Sequence, residues 1–207
     1  RESRQGMAQV VSEAPERITR PPQFCLTVEV IAMQEKVGQL DSKHTAIHEA
    51  GHAVAHVRFN ILQGNITIEP SDTYAGSVMA EGVEHVWSPE EAAHQVVAYC
   101  AGYAALIAMG VDDATARLSA NEDFDHAARL IEFWGLEGNL DTWMARAVEL
   151  MREPANQAAV QRVADEVMKT KTLDMDDIDI LVSITDGEST EDDYMRFKAL
   201  RAQALRQ

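Results

Sequence analysis

Cysteine is nearly absent from this chain. Among 207 residues there are two, Cys25 and Cys100. They stand far apart and form no Cys-x-x-Cys pair, which excludes a disulfide framework and a thiolate metal site. Cys100 lies in an apolar run and reads as a small buried hydrophobe. This usage suits a reducing compartment, so a cytoplasmic location is expected. Positive charge is scarce too. Eighteen Lys and Arg face 34 Asp and Glu, a net charge of −16. Such a surface repels phosphate backbones and anionic lipid, so no nucleic-acid partner and no membrane partner is expected. A long apolar run is also missing. The longest uncharged stretch, Val96 to Val111, falls short of the roughly 20 residues of a membrane span and is rich in Ala and Gly. It reads as a buried helix. The N-terminal stretch lacks the apolar segment of a secretory signal, and Arg1 to Gly6, ahead of Met7, have the composition of an appended leader.

What is present is ample core material. Apolar residues make up 46% of the chain and charged residues 25%, the balance of a globular domain. Ser42 is a candidate N-cap for a helix over 42–59, where Ala46, Ile47, Ala50, Ala53, Val54 and Val57 form an apolar stripe and Asn60 ends the pattern. Asn65 to Glu69 alternates with period two, a turn follows at Pro70 and Ser71-Asp72, and Gly76 to Ala80 reads as a second strand. Ser88 then caps a long helix with Pro89 at its first position and acids in its first turn, running to about Met109 before Gly110. Further helices are predicted over 121–134, 140–152, 154–170, 174–182 and 192–205. The expected fold is mostly α with a small β-sheet. The expected organisation is an N-terminal extension over 1–41, one domain over 42–185, and an acidic linker with a short helix over 186–207.

Residues 48–52 read His-Glu-Ala-Gly-His. On a helix, side chains four apart lie one above the other. His48 and His52 can therefore grip one metal ion, with zinc the expected metal, while Glu49 flanks the same site as a general base. Zinc lowers the pKa of a bound water to about 7 and polarises a carbonyl, which is the chemistry of peptide hydrolysis. Gly51 stands in a helix interior, where glycine costs about 1 kcal/mol against alanine, and a close contact near the metal would explain it. His44 and His56 extend the ladder with the same spacing. Each step rotates about 40° around the helix, so only one pair can be centred on an ion. Only the 48/52 pair has a glutamate directly after its first histidine, which leaves His44 and His56 as supporting or surface residues.

A catalytic zinc has three protein ligands and an open position. Candidates for the third are Glu81, Glu84, His85, His94, Asp112, Asp113, Glu122, Asp123, Asp125 and His126. Asp123 shares a helix face with Ala127, Leu130 and Trp134, where a carboxylate is costly unless paired or metal-bound. Asp125 shares its face with Arg129 and Glu132 and is solvent-facing, and Glu122 suits a first-turn position. Asp123 is the preferred ligand; the alternative is a capping aspartate near the helix start.

Four stretches carry a resemblance to a known family. These are His48-Glu49-Ala50-Gly51-His52-Ala53; Ile66-Thr67-Ile68-Glu69-Pro70 with Ala75-Gly76-Ser77-Val78; Ala101-Gly102-Tyr103-Ala104-Ala105; and Ser119 to Ala127. Together with Thr172 to Leu181 they occur in the order seen in the peptidase domain of the FtsH-type ATP-dependent zinc metalloproteases, which the chain resembles over about residues 42–182. The resemblance implies a zincin-like His-Glu-x-x-His helix in a helical metallopeptidase domain, and it too places the third ligand at Asp123. The departures are Tyr103 for the family's arginine, Leu106 for its glutamate, and Glu122-Asp123-Phe124 for its Asn-Asp-Leu triplet. No Gly-x-x-x-x-Gly-Lys-Ser/Thr phosphate loop and no membrane anchor accompany the domain, so no ATPase module is expected here.

The expected activity is a zinc endopeptidase acting on flexible or unfolded polypeptides. The peptide would add to the sheet edge along Gly76, Ser77, Val78 and Met79 by backbone pairing. A separate unfoldase could deliver substrate, and an oligomer is compatible with the sequence. The alternatives are a catalytically silent binding module on a peptidase scaffold and a dedicated peptidase that cleaves one regulatory protein.

Overall fold

The computed structural model describes residues 41–61, 64–69, 88–204 and 206, and the backbone of 77–78. All belong to one compact unit, Glu35–Gln207. The expected N-terminal extension up to residue 40, the turn at Pro70 to Asp72, and Gly76, Met79 and Ala80 lie outside the described residues.

The first helix, α1 (Ser42–Arg58), is capped by Asp41, whose side chain accepts from the His44 backbone N–H. The cap is thus Asp41 and not Ser42, which is the first helical residue. An extended backbone at Asp41 lets its carboxylate reach the free amide three positions on. The helix ends where Asn60 turns to φ 53°. Every residue from Thr45 to His56 is buried, so α1 is the central helix of the unit. Three rungs of its histidine ladder, His48, His52 and His56, are buried with its alanines, and His44 at the start is only partly covered.

Two short strands, β1 (Ile66–Thr67) and β2 (Ser77–Val78), follow α1 and pair antiparallel, Ile66 with Val78 and Thr67 with Ser77. Then comes α2 (Pro89–Ala108). Its start carries a complete capping box: Glu91 N–H donates to Ser88 Oγ and Ser88 N–H donates to Glu91 Oε2. Gly110 closes it at φ 86°. The helices α3 (Asp113–Ser119), α4 (Asn121–Trp134), α5 (Leu140–Arg152) and α6 (Pro154–Thr170) complete the main layer. A third strand, β3 (Thr172–Leu173), pairs antiparallel with β1, giving the strand order β2-β1-β3. Finally α7 (Met175–Thr185) and α8 (Glu191–Ala204) pack on one another. The architecture is mostly helical with a small antiparallel sheet. No helix among the described residues is long and apolar enough to cross a membrane.

Two helical contacts set the site. α1 packs mainly on α2 and α6, and α2 packs in turn on α4 and α5. The α1–α2 approach is a small-residue seam. A β-carbon on Gly51 would lie 2.5 Å from the Ala101 carbonyl oxygen and 2.6 Å from Ala105 Cβ. Ala46, Ala50 and Ala53 on α1, and Ala98, Ala101 and Ala105 on α2, have no exposed surface. The other side of α1 is tied by Arg58, whose Nε donates to Asn156 Oδ1 of α6 at 2.7 Å and whose Nη2 donates to Asp186 Oδ1 at 2.8 Å.

Candidate metal centre

The seam brings α2 under the two imidazoles of α1. A β-carbon on Gly102 would stand 2.6 Å from both His48 Cε1 and His52 Nε2, so any side chain at 102 would fill the space where the rings converge. The next element on α2's other flank is α4, which delivers Asp123. His48 Nε2 lies 3.0 Å from His52 Nε2 and 3.1 Å from Asp123 Oδ2, and His52 Nε2 lies 3.4 Å from the same oxygen. Ligand atoms bound tetrahedrally at 2.0–2.1 Å stand about 3.3–3.4 Å apart. One side of the observed triangle equals that spacing and the other two are slightly tighter. Among the described residues, His48, His52 and Asp123 form the one group of His, Cys, Asp or Glu side chains that could hold a metal ion.

The hydrogen bonds behind the rings agree with this. His52 Nδ1 donates to the Ala98 carbonyl at 2.7 Å. Its remaining proton-free nitrogen, Nε2, then points into the triangle with a lone pair. Three acceptor atoms facing one another repel unless a cation sits among them. A proton can play that part in the metal-free protein. Burial pulls the His52 pKa down, but the Asp123 carboxylate raises it further, to about 9. Burial likewise disfavours the Asp123 carboxylate, yet the neighbouring His52 and His48 hold its pKa well below the usual range. The pocket is electrostatically built for positive charge.

Glu49 is buried, 6% exposed. Burial pushes its carboxyl above the ordinary value, and it lies within electrostatic reach of His48, His52 and Asp123. It is a buried carboxyl group coupled electrostatically to the three-atom cluster.

Asp123 does not cap α4. The N-cap is Ala120, with no side-chain capping bond, and the Asp123 carboxylate is turned to the histidines. Ala127 and Leu130 on its face are buried, while Asp125 and Glu122 are exposed. The other third-ligand candidates are placed elsewhere. His94 stacks on Phe59 and His126 on Tyr99. Asp112 caps α3, and Asp113 accepts from Tyr103 Oη at 2.7 Å. Glu81, Glu84 and His85 lie outside the described residues. His44 is half-buried beside Asp41. His56 is fully buried, which excludes the surface position allowed for it, because α6 and α7 cover that end of α1. Neither joins the cluster. Cys100 is buried and free, and burial raises its thiol to about 12, so no thiolate is offered.

Of the four residues expected to bind a peptide, Ser77 and Val78 form β2, an edge of the sheet among the described residues; Gly76 and Met79 fall outside them. Two site residues were not anticipated. Gly102 carries the same signal as Gly51, a glycine inside a helix, and could have been found by it. Ser119, whose Oγ lies 3.4 Å from His48 Nδ1, opens the stretch that resembles the family's aspartate segment, but no local pattern marks it as facing His48.

No protein-family model matches this chain, and no curated protein matches it at a significant level. Fold and site together define a mostly helical protein with a His-His-Asp group able to hold a metal ion.

Proposed function

We propose that the chain is a zinc-dependent peptidase, built like the peptidase domain of the FtsH-type metalloproteases but without an ATPase module among its residues. The observation that carries this reading is the convergence of two imidazole Nε2 atoms and one carboxylate oxygen at ligand spacing, with a buried glutamate beside them. His48, His52 and Asp123 would hold the metal. Nitrogen-rich, thiolate-free donor sets with one carboxylate suit zinc. When bound, the ion supplies Lewis acidity toward the scissile carbonyl and toward the attacking water.

The chain's own residues account for the rest. Glu49 takes one proton from the attacking water as the new C–O bond forms. It returns that proton to the departing nitrogen as the C–N bond breaks, which frees a carboxylic acid and an amine. The second water proton then passes from the acid to the amine to leave a carboxylate and an ammonium group. Its raised pKa suits it to accept and then release the proton. The Ala98 carbonyl fixes the tautomer and orientation of His52. The outer edge of β2 offers backbone groups to an extended peptide, a mode that tolerates many sequences and suits flexible or unfolded chains. A separate unfoldase is the natural supplier of such chains.

The test pairs metal content with cleavage of an unfolded protein, on wild type, Glu49→Gln and Asp123→Ala. The expected result is about one zinc per chain in wild type and in Glu49→Gln, with cleavage reduced about 10²–10⁴-fold in the latter, and loss of both in Asp123→Ala. Stoichiometric zinc with no cleavage of any unfolded substrate would replace the peptidase with a silent binding module. Cleavage of a single protein in a broad peptide screen would mark a dedicated regulatory peptidase.

A further inference from the structure

The two histidines of the cluster are held by different kinds of group. His52 gives its Nδ1 proton to a main-chain carbonyl of α2, an acceptor that no substitution removes. Facing His48 Nδ1 is a side chain, the hydroxyl of Ser119, at 3.4 Å. Ser119 is the last residue of α3. Its own hydroxyl proton is committed to the Ala116 carbonyl at 2.8 Å, so toward His48 its oxygen can only accept. His48 has an acceptor on each side, Asp123 Oδ2 at 3.1 Å from Nε2 and Ser119 Oγ at 3.4 Å from Nδ1, and the nitrogen that gives up the proton carries the lone pair. Ser119 favours the form with the proton on Nδ1, which leaves the lone pair on Nε2, the atom 3.0 Å from His52 Nε2.

We infer that Ser119 is a positioning residue of the metal centre, holding His48 in the Nδ1–H tautomer so that Nε2 is presented to the ion. Without this acceptor the His48 proton is free to move to Nε2. There it would donate to Asp123 Oδ2 and close the triangle against a metal. The α3–α4 corner therefore serves the centre twice, through Asp123 from α4 and through Ser119 from α3. The inference rests on reading His48, His52 and Asp123 as a metal site; it is independent of whether that site cleaves peptides.

The test compares wild type, Ser119→Ala and Ser119→Thr in the full chain. Zinc affinity is measured by competition with a chelator at fixed pH. The His48 tautomer is read in the metal-free protein from correlations between ring protons and ring nitrogens by NMR. Loss of an orienting partner behind a metal-bound histidine typically weakens binding about 10–100-fold. That loss is expected for Ser119→Ala, together with a shift of His48 toward the Nε2–H form, and Ser119→Thr restores both. If the alanine variant fails to fold, the near-isosteric pair Ser119→Thr and Ser119→Val gives the same contrast. Wild-type zinc affinity and an unchanged Nδ1–H tautomer in Ser119→Ala or Ser119→Val overturn the inference while leaving the metal centre standing. A wild-type chain that takes up no zinc overturns the metal centre and this inference with it.

Discussion

A β-carbon on Gly102 would come within 2.6 Å of Nε2 of His52, closer than carbon and nitrogen approach without a bond. The hydrogen atom at this position is what leaves the imidazoles room to converge. Gly102→Ala should keep or raise helical propensity and yet spread the rings, because His52 is pinned from behind by the Ala98 carbonyl. Zinc affinity is expected to fall by about two orders of magnitude or more, on the scale of a misplaced ligand. Far-ultraviolet circular dichroism should stay unchanged. Metal titration of the folded variant checks this.

Gly51→Ala probes the seam between the two histidine ligands, at the residue directly before His52. The new methyl gains about 1 kcal/mol of helix propensity, but it meets a carbonyl oxygen and the Ala105 β-carbon at 2.5 and 2.6 Å. Neither is the end of a flexible side chain, so the helices must separate. Overpacking of this kind costs typically 1–3 kcal/mol. The clash wins, and a lower urea midpoint than wild type is expected, with weaker zinc binding in parallel.

Arg58 joins α1 to α6 and to the C-terminus of α7. Arg58→Ala removes the Arg58 donor to Asn156 Oδ1, in a side chain 1% exposed, a loss of roughly 1–3 kcal/mol. The same guanidinium holds the Asp186 carboxyl below its ordinary value of 3.8, chiefly through the hydrogen bonds between them. A depressed folded pKa contributes stability above the unfolded value and loses it as pH falls through the folded one. Wild type should therefore lose stability below about pH 3.8 more steeply than Asp186→Asn. Urea midpoints at neutral pH and in acid measure both effects.

Tyr103 stands where the family resembled has an arginine. It is nearly buried, and its hydroxyl donates to Asp113. Tyr103→Phe should cost about 0.5–1.5 kcal/mol, the net worth of one hydrogen bond, and leave zinc content at the wild-type level. A large drop in zinc content would show that the residue reaches into the centre.

The elements most legible in the sequence were those with chemical punctuation at their ends. Ser88 with Pro89 and Glu91, Gly110, Gly135 and Pro154 each mark a boundary that the structure places within a residue or two. Asp123 was legible because a carboxylate on the Ala127–Leu130 face needs a partner. The short elements were not. α3 spans seven residues, too few for a helical period to stand out, and β3 exists only because β1 lies beside it. The role of Gly102 depends on two rings from a helix far back in the chain. Ser119 depends on where the α3–α4 corner meets α1. A helix-interior glycine marks position 102 as unusual, but which rings it faces leaves no local trace, and the Ser119 contact leaves none at all. For His56 the surface alternative falls away for a related reason. Periodicity assigns one face of a helix to the core, whereas α1 is enclosed on all sides.

The narrow spacing between α1 and α2 has one more consequence. Where two helices touch main chain to main chain, the separation of the ligand-bearing rungs is inherited from peptide geometry rather than from the rotamers of bulky residues. Substitutions on the outer surfaces then leave the cradle as it was. A single added carbon along the inner track is enough to pry it open. Such a molecule can change almost all of its outward appearance and still offer the same three atoms to an ion.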